Sequence, residues 1–383
     1  PFKNNKTRLD VGVKYSFVAN NNNLEYWAED ILDTNQSNQY LYSEHIAAVY
    51  AMVSHKFTEK TSLQVGLRGE YTKTIGYNVT MDSNISSQYI MPFPSVNFNQ
   101  LIGKKHGINI SYRYRLSRPR YTDLNPFTTQ HGLFSESSGN PYLKPEYSHS
   151  VGLTYSFNSM PIFKFNYDRS DGMISSLDFV DETTFTRRSM PQNLGSSDRL
   201  STTLMFQKLF FDRWQFMIYA NGSWSQSRFD YGNSKETKNS YSAMLYCSND
   251  IKILNWLSAE VNAWCMLPGK ELFNKTRWML NLDAGMKMTF FKKAFTVRIS
   301  GTDLLNTASQ WISNTVLPDG NSTHLRAYWL SRGVSLSLSY NFSKGKVTQQ
   351  KQIGTSIQEE SGRFGSGGGR QQGGMNTSGG AGM

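Results

Sequence analysis

The stretch Val334-Ser335-Leu336-Ser337-Leu338-Ser339-Tyr340-Asn341-Phe342 puts an apolar residue at every second position and a small polar one between each pair. A β-strand sends successive side chains to opposite faces, so these nine residues make a ribbon that is greasy on one side and wet on the other. A helical turn would mix the two sets around its surface. The spacing therefore predicts a strand.

The same reading extends through the chain. Leu9, Val11, Val13, Tyr15 and Phe17 alternate with Arg8, Asp10, Gly12, Lys14 and Ser16, and Ile108, Ile110, Tyr112, Tyr114 and Leu116 alternate with Asn109, Ser111, Arg113 and Arg115. Val151, Leu153, Tyr155 and Phe157 form another apolar row, as do Leu257, Ala259, Val261, Ala263 and Cys265. Trp278, Leu280, Leu282, Ala284, Met286 and Met288 oppose Asn281, Asp283, Gly285 and Lys287. A soluble sandwich turns its apolar row to a core and its polar row outward. Here the polar rows carry Arg, Lys and Asp, which suits a water-filled lumen, and several apolar rows end in Tyr or Phe, which suits a headgroup girdle.

Composition agrees. Of 383 residues 38% are hydrophobic, with a mean hydropathy of −0.51, yet 14% are aromatic. The longest run without a polar residue is Ile46–Val53, far short of the ~20 residues a spanning helix needs. Backbone groups in hydrocarbon must be paired within the protein, which leaves a closed barrel as the spanning solution. The predicted strands, of roughly 10–13 residues, exceed the ~5–6 of ordinary sheets and approach the ~9–11 of tilted transmembrane strands.

The connections alternate in length. Short ones fall near His55–Ser62, Leu101–His106, Asn158–Pro161, Leu209–Arg213, Ile251–Asn255 and Phe291–Lys293. Longer polar ones fall at Asn20–Gln39, Gly76–Ser87, Arg118–Glu146, Ser170–Ser196, Arg228–Lys238, Pro268–Lys275 and Leu304–Ser331. Outer-membrane barrels pair short periplasmic turns with long extracellular loops. The expected fold is thus all-β: an antiparallel up-and-down transmembrane barrel over residues 1–343, with about 14 strands and outer-membrane lipid around it. Thr183–Lys208 reads as one bent strand or two. Residues 344–383, rich in Gly and without periodicity, are expected to form a disordered tail.

Other classes find little support. The net charge of +11 is scattered along strands and tail, which argues against nucleic-acid binding. Nucleophile-elbow, phosphate-loop and zinc-type signatures are missing from the sequence, so neither enzyme chemistry, nor a metal, nor a cofactor is expected. A hairpin centred near Ile253 would place Cys247 opposite about Ala259 and Cys265 opposite about Tyr241, out of register for a disulfide.

Two further motifs bring a family into view. Phe93-Pro94-Ser95-Val96-Asn97-Phe98, Ser111–Pro119 and Tyr121-Thr122-Asp123-Leu124-Asn125-Pro126-Phe127 resemble the barrel of TonB-dependent receptor-like outer membrane proteins. Gly139-Asn140-Pro141-Tyr142-Leu143-Lys144-Pro145-Glu146 resembles the Gly-Asn-Pro…Lys-Pro-Glu signature of those receptors. Arg118 and Pro119 belong to the first motif. Asn193-x-Gly195 and Asp303-Leu304-Leu305-Asn306 stand where that family has shorter elements, though the Gly-x-Glu that usually follows Asn-x-Gly is not evident at Asp198–Leu204.

The resemblance implies a 22-stranded barrel filled by an N-terminal plug on which the TonB system pulls. The chain begins at Pro1, so a leader or an N-terminal portion with the plug and about eight strands is expected upstream. On that basis the protein is expected to bind a scarce solute (a small molecule, metal chelate, glycan or peptide) and pass it to the periplasm. Candidate ligand contacts are Tyr121, Phe127, His131, Phe134, Tyr142 and Trp311, rings placed over a polar lumen. A passive channel and a surface protein that binds through its loops are the alternatives. The residues themselves also allow a plainer role, because Gly139 and its flanking prolines suit a loop that resets the chain before its next strand.

Overall fold

The computed structural model describes residues 6–342, apart from 34–36, 81, 182, 232–233, 293 and 319, together with Arg363. Fourteen long strands form one continuous antiparallel ladder. They are β1 (Thr7–Leu24), β2 (Asn38–Thr58), β3 (Thr61–Asn78), β4 (Ser83–Ile102), β5 (His106–Ser117), β6 (Glu146–Phe157), β7 (Met160–Asp171), β8 (Ser196–Phe210), β9 (Trp214–Tyr231), β10 (Ser234–Leu254), β11 (Leu257–Met266), β12 (Met279–Phe290), β13 (Phe295–Thr302) and β14 (Gly333–Tyr340). Each pairs with the next in sequence, from Thr7 opposite His55 to Phe295 opposite Tyr340. Four short strands in the loops join the same sheet. Among the described residues no helix is long and apolar enough to cross a membrane.

Register sorts the side chains as the period-2 reading predicts. Leu245, Cys265, Leu280, Met286, Ile299 and Leu336 lie on one face, in neighbouring rows of the ladder. Val13 on β1 is 81% exposed, whereas its polar neighbours Gly12 and Lys14 are only partly so. An apolar face that is more exposed than the polar one marks hydrocarbon, not a packed core, as its surroundings. At the short-turn end the outer row becomes aromatic. Trp256 stacks with Phe290 at 6.0 Å, and Phe290, Phe295, Tyr340 and Phe342 follow at 6.4, 6.4 and 4.8 Å. That is one headgroup girdle.

Several expected boundaries move. Gly76–Ser87 and Arg228–Lys238 are not loops: β3 runs to Asn78 and β4 restarts at Ser83, while β9 runs to Tyr231 and β10 restarts at Ser234. Above the hydrocarbon neither face of a strand meets lipid, so alternation fades and polar strand looks like loop. For the same reason β2 and β10 reach 21 residues. Thr183–Lys208 resolves into Arg187–Asn193, in a separate four-stranded sheet, and β8. Cys247 faces Ala263 rather than Ala259, and Cys265 faces Leu245, because the hairpin turns after Leu254 and not at Ile253. Both thiols are free. The expected disordered tail, 344–383, lies outside the described residues apart from Arg363.

Candidate functional site

The long loop between β5 and β6 folds back onto the polar, lumenal face. Pro119 precedes a single helical turn, Tyr121–Leu124, whose apolar side is buried against Tyr40, Tyr42 and Leu143. Tyr40 and Tyr42 stand on the inward row of β2 above the girdle, where the strand leaves the membrane. Val18, Phe127 and Ile174 pack around this cluster. Burial of these five large side chains supplies several kcal/mol at the ~1.5–3 kcal/mol typical of each. That pins the loop across the lumen.

Charges lie directly beneath it. Glu44, 1% exposed, and Glu70, 4% exposed, point inward from β2 and β3. Arg118 pairs with Glu70, approaches Glu44 at 3.7 Å and donates to Thr72 at 3.0 Å, while Arg68 reaches Glu70 at 2.6 Å. Burial works against the charge on Arg118, but Tyr89, Glu70 and Glu44 outweigh it and hold its pKa above the ordinary guanidinium value. Tyr42 and Tyr121 donate hydroxyl protons to Glu44 at 3.2 and 3.3 Å.

The sequence motifs meet one another. A Cβ on Gly139 would lie 2.1 Å from the Asn125 carbonyl oxygen and 2.7 Å from that of Asp123, so only glycine lets the two segments touch. The Asn140 amide donates to the Asp123 carbonyl at 2.6 Å, and its side chain donates to the Pro191 carbonyl at 3.1 Å. Asn193 accepts from the Lys144 amide at 2.7 Å and donates to the carbonyls of Lys144 and Gly172 at 2.8 and 2.9 Å. A Cβ on Gly195 would sit 2.2 Å from the Arg228 carbonyl. Arg120 pairs with Asp123, and Glu146 accepts from the Ile174 amide at 3.4 Å. Pro126, Pro141 and Pro145 set the chain direction between these contacts, and Leu143 and Leu124 fill the core. Asp303, fully buried at a positive φ, accepts from the amides of Thr307 and Ala308 and from Ser331. Asp303 braces its own loop after β13, and the other motifs join as one loop lock.

The candidate ligand contacts divide. Tyr121 is 3% exposed and serves the lumenal cluster instead of presenting an open ring, and Phe127 packs beside it. Tyr142 is 70% exposed over the same cavity, and Phe134 is 63% exposed at the tip of the hairpin 128–138. His131 bonds Ser137 within that hairpin. Trp311 is half-buried on the strand Gln310–Val316. The cavity, about 230 Å³, is lined by Tyr40, Tyr42, Glu44, Tyr89, Tyr142 and Arg363. Glu44 and Glu70 were not foreseen. The available signals are the parity Glu44 shares with Tyr40 and Tyr42 on β2, and the position of Glu70 in the polar row of β3 between Leu67 and Tyr71. Among the described residues no three His, Cys, Asp or Glu side chains gather as a metal site would require.

A family model of the outer membrane protein beta-barrel family matches residues 1–340. The chain belongs to that family. It is an integral outer-membrane barrel, crossing with strands. No curated protein matches its sequence. Among solved structures it is similar to the copper transporter OprC, at 10% identity and TM-score 0.64, over 88% of this chain and 55% of that one. It is also similar to the ferric yersiniabactin uptake receptor FyuA from Yersinia pestis, at 13% identity and TM-score 0.61, over 88% and 52%. The FrpB iron transporter from Neisseria meningitidis matches at 12% identity and TM-score 0.56, over 88% and 53%. The chain spans about half the length of these proteins. The likeness places it with outer-membrane receptors and transporters in fold.

Proposed function

We propose that this chain is the barrel portion of a TonB-dependent uptake receptor, which captures a scarce solute at the cell surface and passes it inward when an N-terminal plug is pulled. One observation carries the reading: the Arg-Pro, Asn-Pro-Phe, Gly-Asn-Pro and Asn-x-Gly segments lock together over a polar lumen inside a lipid-facing wall. Such a lock holds long loops at the outer end while leaving the lumen wet, the arrangement an importer needs. Tyr142, Phe134, Trp311 and His131 are the side chains available to a bulky ligand, with Phe127 behind them. TonB is then a partner through the plug, and a 22-stranded closed barrel is the complete form.

The test is a deletion of the coding region, screened for growth on limiting iron, vitamin and glycan sources, followed by uptake of the solute so identified. Uptake should stop when a protonophore collapses the proton-motive force. Uptake that continues unchanged makes the protein a passive channel. A second reading, surface binding through loops, is favoured by Leu133, Phe134 and Phe185, which are exposed where the Arg187 amide joins the Phe134 carbonyl. Loop-deleted variants that lose a bound partner but keep uptake would support it.

A further inference from the structure

Glu44 has one more neighbour. Arg363, from the far end of the chain, inserts its guanidinium between the wall and the β5–β6 loop. Nη1 donates to Glu44 Oε2 at 2.5 Å and Nη2 to Oε1 at 3.4 Å, while Nε and Nη2 both donate to the Pro119 carbonyl at 3.2 and 3.1 Å. The guanidinium carbon lies 4.3 Å from the centroid of the Tyr121 ring. A carboxylate on one edge, a carbonyl on another and an aromatic face match a planar, five-donor cation. A lysine ammonium, a compact point charge, would use only part of this cradle.

The cradle belongs to the wall and not to the tail. Glu44, Tyr121 and Pro119 are fixed by the loop lock and by the Tyr42 and Tyr121 hydroxyl bonds to the carboxylate. Arg118 and Arg68 already balance Glu70 and part of the charge on Glu44, so the guanidinium at 2.5 Å supplies the closest cation to a carboxylate that is 1% exposed. The adjoining cavity of about 230 Å³ leaves room for the body of a ligand.

Reach is also sufficient. Phe342 leaves β14 at the short-turn end, whereas Glu44 lies 14 residues up β2 from Thr58, about 46 Å at ~3.3 Å per residue. Twenty residues separate Phe342 from Arg363, and such a length spans up to about 66–72 Å.

We propose that Glu44, Tyr121 and the Pro119 carbonyl form a binding site for guanidinium-bearing ligands, such as an arginine side chain of a peptide, and that Arg363 is its displaceable occupant in cis. Tethering keeps the tail arginine at an effective concentration in the millimolar range, so a free ligand must outcompete it. The tail thereby sets the concentration at which the site opens to ligand.

Agmatine, a guanidinium without a carboxylate, is the probe. Calorimetric titration of the full chain in detergent should show binding to Arg363→Ala at least about tenfold tighter than to the wild type. 1,4-Diaminobutane, agmatine with the guanidinium replaced by a second ammonium, should bind Arg363→Ala at least about tenfold more weakly than agmatine, and Glu44→Gln combined with Arg363→Ala should abolish agmatine binding. Equal agmatine affinity in wild type and Arg363→Ala overturns the proposal, as does no binding to either, or undiminished binding when Glu44 is also replaced. Should Arg363→Ala fail to fold, Arg363→Lys keeps the charge without the fork and should still bind agmatine more tightly than the wild type; affinity no tighter than wild type overturns the proposal equally. Binding in detergent needs no energy source, so it is read separately from TonB-driven uptake.

Discussion

Replacing Ile299 by arginine puts a charge on the outer face near the middle of the membrane. Ile299 sits between Met286 and Leu336 in the outward row and is 44% exposed. It lies four residues above Phe295, which belongs to the girdle. At ~3.4 Å per residue and a strand tilt of roughly 40°, that is about 10 Å above the girdle of an apolar band ~25 Å tall. Arginine at such a depth costs about 2–4 kcal/mol, so the folded-to-unfolded ratio should fall by roughly 30- to 1000-fold. Leu282, eight residues from Phe290, lies about 20 Å up and close to the opposite boundary, where the cost drops to about 0–1 kcal/mol. Ser335→Arg points into the wet lumen and forfeits only the 2.8 Å bond to Ser300, about 1 kcal/mol. Denaturant titrations of the protein in phosphocholine vesicles, followed by tryptophan fluorescence, measure all three. Equal losses at Ile299 and Ser335, or a larger loss at Leu282 than at Ile299, would refute the assignment of faces and depth.

The remaining expectations concern the loops. Arg118→Ala leaves Glu70 and Glu44 buried without their shared cation, and should cost about 3–5 kcal/mol in the same titration. Gly139→Ala drives a methyl against the Asn125 carbonyl, so the β5–β6 loop should become open to protease while the barrel keeps its denaturation midpoint. Asn193→Ala removes three hydrogen bonds to Lys144 and Gly172, and amide exchange in residues 143–146 should rise by a factor of about 10 or more. Burial pushes the Asp303 carboxyl up, but hydrogen bonds from Ser331, Ala308 and Thr307 prevail and hold it below its ordinary value. A lowered carboxyl stabilises its loop above the unfolded pKa and ceases to as pH falls through the folded one. Protection of the Thr307 and Ala308 amides should therefore persist at neutral pH, begin to fall only below about pH 4, and vanish at still lower pH, as the folded-state carboxyl protonates.

The wall was legible because hydrocarbon imposes a strict rule on it. Within the membrane each strand meets lipid on one side and water on the other, and Val334–Phe342 or Leu9–Phe17 show that division residue by residue. About 14 strands were expected, and among the described residues fourteen long strands form the ladder, with four short loop strands added to it. The reading lost accuracy where the rule lapses. Asn20–Leu24, Gly76–Asn78 and Arg228–Tyr231 are strand beyond the hydrocarbon, where Asn78 and Phe229 are covered by loops and no lipid-facing apolar row separates them from a loop in the sequence.

The lumenal site follows a different logic, and its legibility differs accordingly. Tyr121, Leu124, Gly139 and Asn140 drew attention as motif residues, but only their packing shows that the glycine exists for the Asn125 carbonyl and that the tyrosine ring faces inward to Glu44. Glu44 lies one strand turn from the apolar run Ile46–Val53 and carries no motif. Its importance arises from partners at 77 and 319 residues' separation. Arg363 stands among glycines and serines, where composition says little about any single residue. A buried carboxylate must nevertheless be neutralised by something, since an isolated charge in such a site is costly. Once Glu44 is seen to be inward and covered, the demand for a cation follows from electrostatics alone. Which cation meets it, the tail's own or a ligand's, is then a matter of effective concentration, and removing Arg363 changes that one quantity while leaving the wall intact.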